Sequence, residues 1–180
     1  MTHEKLFGHK FLLEFDPVSN YERVGEDFAR EAMANLEPTI IFTSSTSTVH
    51  ACLAKYPAAK FFLTSMSTST PKSTSKSEVL LPARNIALIL DSLDKVLEAK
   101  ADENAFLIFD VLSEILTSVG QEKTHLFLRH ALGLLASKKA TALFLLNPSA
   151  HEPKLVSGIR GLFRNQLTYE KDGLKAVKIS

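Results

Sequence analysis

Residues 105–110 read Ala-Phe-Leu-Ile-Phe-Asp, five apolar residues closed by a carboxylate. An apolar run this short, without alternation, suits a strand buried on both faces of a sheet, as strands of parallel sheets are. Val111, Leu112, Ile115, Leu116 and Val119 then follow helical spacing, and Gly120 marks a break. Strand followed by helix makes this stretch the centre of a βαβ unit. Asp110 stands at the strand's carboxyl end, where open α/β sheets place their ligands.

The rest of the chain supplies neighbours for such a strand. His9 to Asp16 reads as a first strand ended by Pro17. Ser19 or Asn20 can cap the next helix, with Glu22 and Glu26 near its positive end. That helix runs to about Leu36, with Tyr21, Val24, Phe28, Ala32 and Leu36 along one face;. Thr39–Thr43 is a second strand, followed by a turn at Ser44-Ser45-Thr46 and a short helix holding Val49, Cys52, Leu53 and Tyr56. Lys60–Thr64 is a third strand, and Glu78–Leu81 a short one at a sheet edge. Residues 85–98 and 122–137 carry apolar stripes at helical spacing, Thr141–Asn147 is another buried strand, and Lys154–Phe163 is a helix. Gln166–Glu170 and Leu174–Ile179 flank Lys171-Asp172-Gly173, a strong hairpin signal;. The expectation is one domain over residues 1–180, a three-layer α/β fold with a mainly parallel sheet, helices on both faces and a C-terminal antiparallel hairpin.

Between the third and fourth strands, ten of the fourteen residues from Thr64 to Ser77 are Ser or Thr. Such a segment buries too little apolar surface to order by itself, so residues 65–77 read as a mobile, solvated loop. A phosphorylation or partner-contact loop is the sharper alternative.

Composition closes several function classes. A formal net charge of +1 gives no global field toward nucleic acid or membrane;. The single cysteine, Cys52, cannot form an internal disulfide, which suits a reducing, cytoplasmic setting;. No apolar run approaches the roughly 20 residues that span a bilayer, and Met-Thr-His-Glu-Lys does not open a secretory leader;.

Four stretches carry a family resemblance: F-L-L-E-F-D before a helix, T-I-I-F-T-S-S, F-L-I-F-D-V-L-S-E-I-L, and the tail from A-T-A-L-F-L-L-N-P to Q-L-T-Y-E-K-D-G-L-K-A-V-K-I. Together they resemble the RecA-like ATPase core, specifically its archaeal KaiC-like branch. V-L-L-P-A-R-N-I-A-L-I-L is similar to a strand–loop–helix in small members of that branch. The resemblance implies a phosphate loop after the first strand, a catalytic carboxylate after the second, and a magnesium-binding Asp at position 110. An ATP cradle needs G-x-x-x-x-G-K-[ST], so that backbone N–H groups and a lysine surround the phosphates. Here the matching stretch is D-P-V-S-N-Y-E-R-V-G, no Gly-Lys pair occurs in the chain, and Thr43-Ser44-Ser45 stands in place of the carboxylate. The reading is a degenerate member without a phosphate loop: not an enzyme, with no catalytic residue, no cofactor and no metal ligand set.

Asp16, Ser19, Asn20, Ser44, Asp110 and Asn147 are the candidate vestigial site, expected to cluster at the carboxyl edge of the sheet. If their strands adjoin, Asp16 and Asp110 stand side by side. His125 and His130 are separated by about 140° around a helix, unlike a metal pair. His151, Lys154, Arg160 and Arg164 make a modest basic face that reads as solvated, since it lacks the aromatics of a nucleic-acid surface;. The expected function is a pseudo-ATPase module that binds another protein in signalling or regulation, as a monomer or homodimer, without membrane or nucleic acid. The alternative is a residual nucleotide binder with magnesium on Asp110.

Overall fold

A computed structural model describes residues 6–100, 103–136, 139–171 and 173–179. Nine strands form one sheet: β1 (Lys10–Phe15), β2 (Thr39–Ser44), β3 (Ala59–Ser65), β4 (Lys72–Ser73), β5 (Glu78–Pro82), β6 (Ala105–Phe109), β7 (Ala140–Leu146), β8 (Asn165–Glu170) and β9 (Gly173–Lys178). Their spatial order is β4-β5-β3-β2-β6-β7-β1-β8-β9. Every neighbouring pair is parallel except β4–β5 and β8–β9 at the two edges. The described helices are α1 (Glu22–Ala34), α2 (Thr48–Leu53), α3 (Ile86–Ala99), α4 (Leu112–Val119), α5 (Gln121–Ala136) and α6 (Pro153–Arg160), with a 3₁₀ turn at Pro148–Ala150. This is a three-layer α/β fold.

β6 shows why the sheet is buried on both sides. Leu107 and Phe109 join the core beneath α3, α4, α5 and α6, while Phe106 and Ile108 join the core beneath α1 and α2. Period-two alternation therefore feeds two cores from one apolar strand. Across four strands, Phe62, Phe42, Phe109 and Phe144 are direct cross-strand partners. Their rings stack at 4.8, 4.9 and 4.4 Å between centroids. Those separations match the spacing of the strands themselves, so the rings form one continuous ladder.

Two expectations need correction and one needs an addition. The Ser/Thr-rich segment is exposed over 69–76, as expected of a solvated loop, and it also carries an edge strand outside β5, where Lys72 and Ser73 pair with Leu80 and Val79. Its hydroxyls take over as backbone partners: Ser65 Oγ accepts from Ser67 N–H at 3.2 Å, and Ser75 Oγ from Ser77 N–H at 3.2 Å;. Neither Ser19 nor Asn20 caps α1. Tyr21 occupies the N-cap position without a side-chain bond, and its ring stacks on Phe15 at 3.7 Å. Leu36 does not lie on the buried stripe of α1 but beyond the helix, at φ 58° and 90% exposed. Glu37 N–H reaches Ala32 O at 2.9 Å and Leu36 N–H reaches Met33 O at 3.0 Å, a Schellman closure with leucine where glycine is usual;. Gly120 meets expectation, breaking α4 from α5 at φ 82°. Asp172 of the hairpin turn and Ser137 at the expected helix end lie outside the described residues.

The direction in which each strand hands on the chain fixes where a site can form. β1 and β2 lead into α1 and α2 on one face, whereas β5, β6 and β7 lead into the helices of the other. Adjacent strands whose chains leave to opposite faces open a crevice at the carboxyl edge. By strand order this happens between β2 and β6 and between β7 and β1.

Candidate functional site

Asp110, at the switch point between β2 and β6, is the most perturbed carboxyl group of the carboxyl edge. Asp110 continues β6, with its N–H bound to Phe42 O at 2.8 Å. Its Oδ2 accepts from Thr43 Oγ1 at 2.8 Å and from the hydroxyl of Ser47. Ser47 is itself the N-cap of α2, its Oγ accepting from Val49 N–H at 3.0 Å. One short turn, Ser44 to Ser47, thus delivers both the helix cap and the donor to Asp110. Beside it Glu114, in the first turn of α4, accepts from Thr64 Oγ1, which also reaches Thr43 O at 3.3 Å.

Burial pushes the Asp110 carboxyl up to about 6, against the Ser47 and Thr43 hydrogen bonds that favour its charged form; the Glu114 charge adds to the rise;. Tyr21, whose hydroxyl lies 3.1 Å from Thr48 Oγ1, is also raised by burial, with the Thr48 bond opposing and Asp110 and Glu22 adding. On the other side of α4, Ser113 Oγ lies 3.0 Å from His151 Nε2, and burial lowers that imidazole. A carboxyl titrating near neutrality, held on one oxygen by two hydroxyls, can take up or release a proton or offer its second oxygen to a cation.

The six candidates lie at the carboxyl edge in separate, locally satisfied sets. Asp16 Oδ1 accepts from Val18 N–H at 3.1 Å, and Ser19 Oγ donates to Asp16 O at 2.5 Å. Asn20 offers its carbonyl to Arg23 N–H at 3.2 Å. Ser44 Oγ meets Thr46 Oγ1 at 3.0 Å, facing away from the Asp110 carboxylate. Asn147 Oδ1 accepts from Ser149 N–H and Oγ at 3.1 and 2.7 Å, capping the 3₁₀ turn. Asp16 and Asp110 are not side by side, because β7 lies between β1 and β6; two strand spacings amount to about 9.5 Å. Thr43, Ser47, Thr64 and Glu114, which make up the site with Asp110, were outside the expected set. Two signals pointed to them: a serine immediately before a helix start, and an acidic residue one turn into the helix after Asp110.

The basic face on α6 is also different from expectation. Arg160 Nε and Nη2 bind both oxygens of the buried Glu14 on β1, each at 2.6 Å. Its charge is matched by that carboxylate rather than solvated. Among the described residues, no group of three or more His, Cys, Asp or Glu is placed to hold a metal ion. No described helix is long and apolar enough to cross a membrane.

Comparison with protein-family models gives no match. No curated protein matches the chain. Among solved structures, the chain is similar to a protein from Pyrococcus horikoshii OT3, known from a structural study, with a TM-score of 0.70 at 11% identity over 99% of this chain and 92% of that one. At that identity the likeness concerns the fold alone.

Proposed function

We propose that this chain is a non-catalytic, KaiC-like pseudo-ATPase domain that works by binding another protein in signalling or regulation. The observation that carries the reading is the state of the two crevices where a nucleotide would sit. The segment entering α1 bonds to itself: Arg23 N–H and Val24 N–H turn onto the carbonyls of Asn20 and Tyr21 at 3.2 and 3.0 Å. Those are the donors a phosphate would need at a helix start. The charge that acts on Asp110 is another carboxylate, Glu114. Arg160, which reaches β1 from α6, is committed to Glu14. Phosphoryl transfer draws its rate from positioning and from positive charge on the phosphates, and these residues supply neither.

The rival, residual nucleotide binding with magnesium on Asp110, draws on one feature. Both hydroxyls bind Oδ2, leaving Oδ1 to take a hydrated cation;. Phosphate release by the purified protein and by Asp110→Ala separates catalysis from its absence. The expected result is background turnover in both; turnover in the parent that disappears in the variant overturns the reading. Thermal shift with ATP, ADP and magnesium decides the rival, and the expectation is no shift.

A further inference from the structure

On the outer surface of the four-helix layer, α3 and α5 pack against each other and leave a groove of about 500 Å³ between them. Leu90 and Leu134, both half-buried against the core, supply apolar surface to it. Gly133 supplies a notch, since a Cβ there would meet no atom within 4 Å.

The two walls of the groove carry opposite charges, with Asp94 on α3 and Arg129 on α5. Asp91 is taken by Lys95 at 2.7 Å. Asp94 and Arg129, by contrast, make no ion pair within 4.0 Å among the described residues. A groove with one acidic and one basic wall is self-complementary under a twofold axis, because each contact i–j then occurs twice. A second copy turned through 180° sets its Arg129 against this Asp94 and its Asp94 against this Arg129. Leu126, 52% exposed on the same outer stripe of α5, extends the apolar contact by two turns;.

We propose that the α3–α5 groove is the interface of a homodimer, with apolar contact at Leu90, Leu126 and Leu134 and register set by the two Asp94–Arg129 pairs. Apolar contact supplies the affinity and the paired charges select the orientation. This assembly is independent of whether the Asp110 crevice binds anything.

Charge exchange tests it. The parent protein, followed by light scattering and sedimentation over a dilution series, is expected to be a dimer that dissociates on dilution. Arg129→Asp alone and Asp94→Arg alone each set like charges together twice, and each is expected to weaken the dimer at least tenfold. An equimolar mixture of the two variants is expected to restore a heterodimer, since each copy then carries the charge the other lacks. Circular dichroism establishes that both variants fold. A monomeric parent, a dimer indifferent to both substitutions, or folded variants that do not associate on mixing would each overturn the proposal.

Discussion

Asp110→Asn is expected to stabilise the protein at neutral pH and to lose that advantage in acid. The folded chain holds this carboxyl at about 6, whereas an unfolded Asp titrates near 3.9. Below about pH 4 the group is protonated in both states and the folded chain bears no charge there. As pH rises through 6 the folded chain must ionise a buried group, and stability present at low pH is lost. A shift of roughly two units corresponds to about 3 kcal/mol, reduced to about 2 because the site is not fully closed to solvent. An asparagine oxygen still accepts from Ser47 and Thr43, and the charge-assisted part of those bonds is already contained in the value of about 6;. The net gain is therefore about 2 kcal/mol at pH 7.5, falling below about 1 kcal/mol at pH 4.5. Urea denaturation of parent and variant at pH 4.5, 6 and 7.5, at constant ionic strength, measures it. A difference that does not change with pH, or a variant less stable at pH 7.5 than at pH 4.5 relative to the parent, would refute the reasoning.

Three further substitutions address other parts of the molecule. Leu36→Gly is expected to raise stability by about 0.5–1 kcal/mol, because leucine is strained in the left-handed conformation and its side chain is exposed;. A loss of stability in urea would show that Leu36 packs on something. Glu26 accepts from Lys55, Tyr56 and Cys52, which hold it down to about 2, while burial and then the Glu26 bond push the Cys52 thiol up to about 11. Glu26→Gln should therefore speed the reaction of Cys52 with a thiol reagent at pH 8 by at least about threefold, and an unchanged rate contradicts this. Arg160→Ala leaves the buried Glu14 carboxylate without its partner; the expected cost is about 2 kcal/mol, below the range for fully buried pairs because Arg160 is half exposed;. Thermal melts of Arg160→Ala beside the double variant with Glu14→Gln should show part of that cost recovered, and no recovery counts against the pair.

Much of the architecture was legible in the chain because burial on two faces demands uninterrupted apolar strands, as in 105–109 and 140–146, and because a Gly-containing turn between alternating segments marks a hairpin. β4 escaped notice because Lys72 and Ser73 are paired by backbone alone, while their side chains carry the composition of a solvated segment. Leu36 continued the apolar spacing of α1, and spacing says nothing about where a helix reverses its backbone. At the site, Asp110 could be read from its place at the end of a strand. Its partners could not, since they depend on β2 rather than β1 lying next to β6, and strand order is decided by long-range pairing. Thr43 and Ser44 show how fine the distinction is: neighbouring hydroxyls on one strand point to opposite sides, and only Thr43 reaches the carboxylate;.

The place of β1 has a consequence for how the molecule is made. It lies between β7 and β8, with Lys10 opposite Ala142 and Phe11 opposite Asn165. A ribosome adding roughly 5–20 residues per second leaves that strand without either neighbour for on the order of ten seconds. β2, β3 and β6 can meet meanwhile, but Phe11, Leu12 and Leu13, fully covered in the finished sheet, remain on display in the nascent chain. Pairing of β1 therefore waits until β7 and β8 have been made.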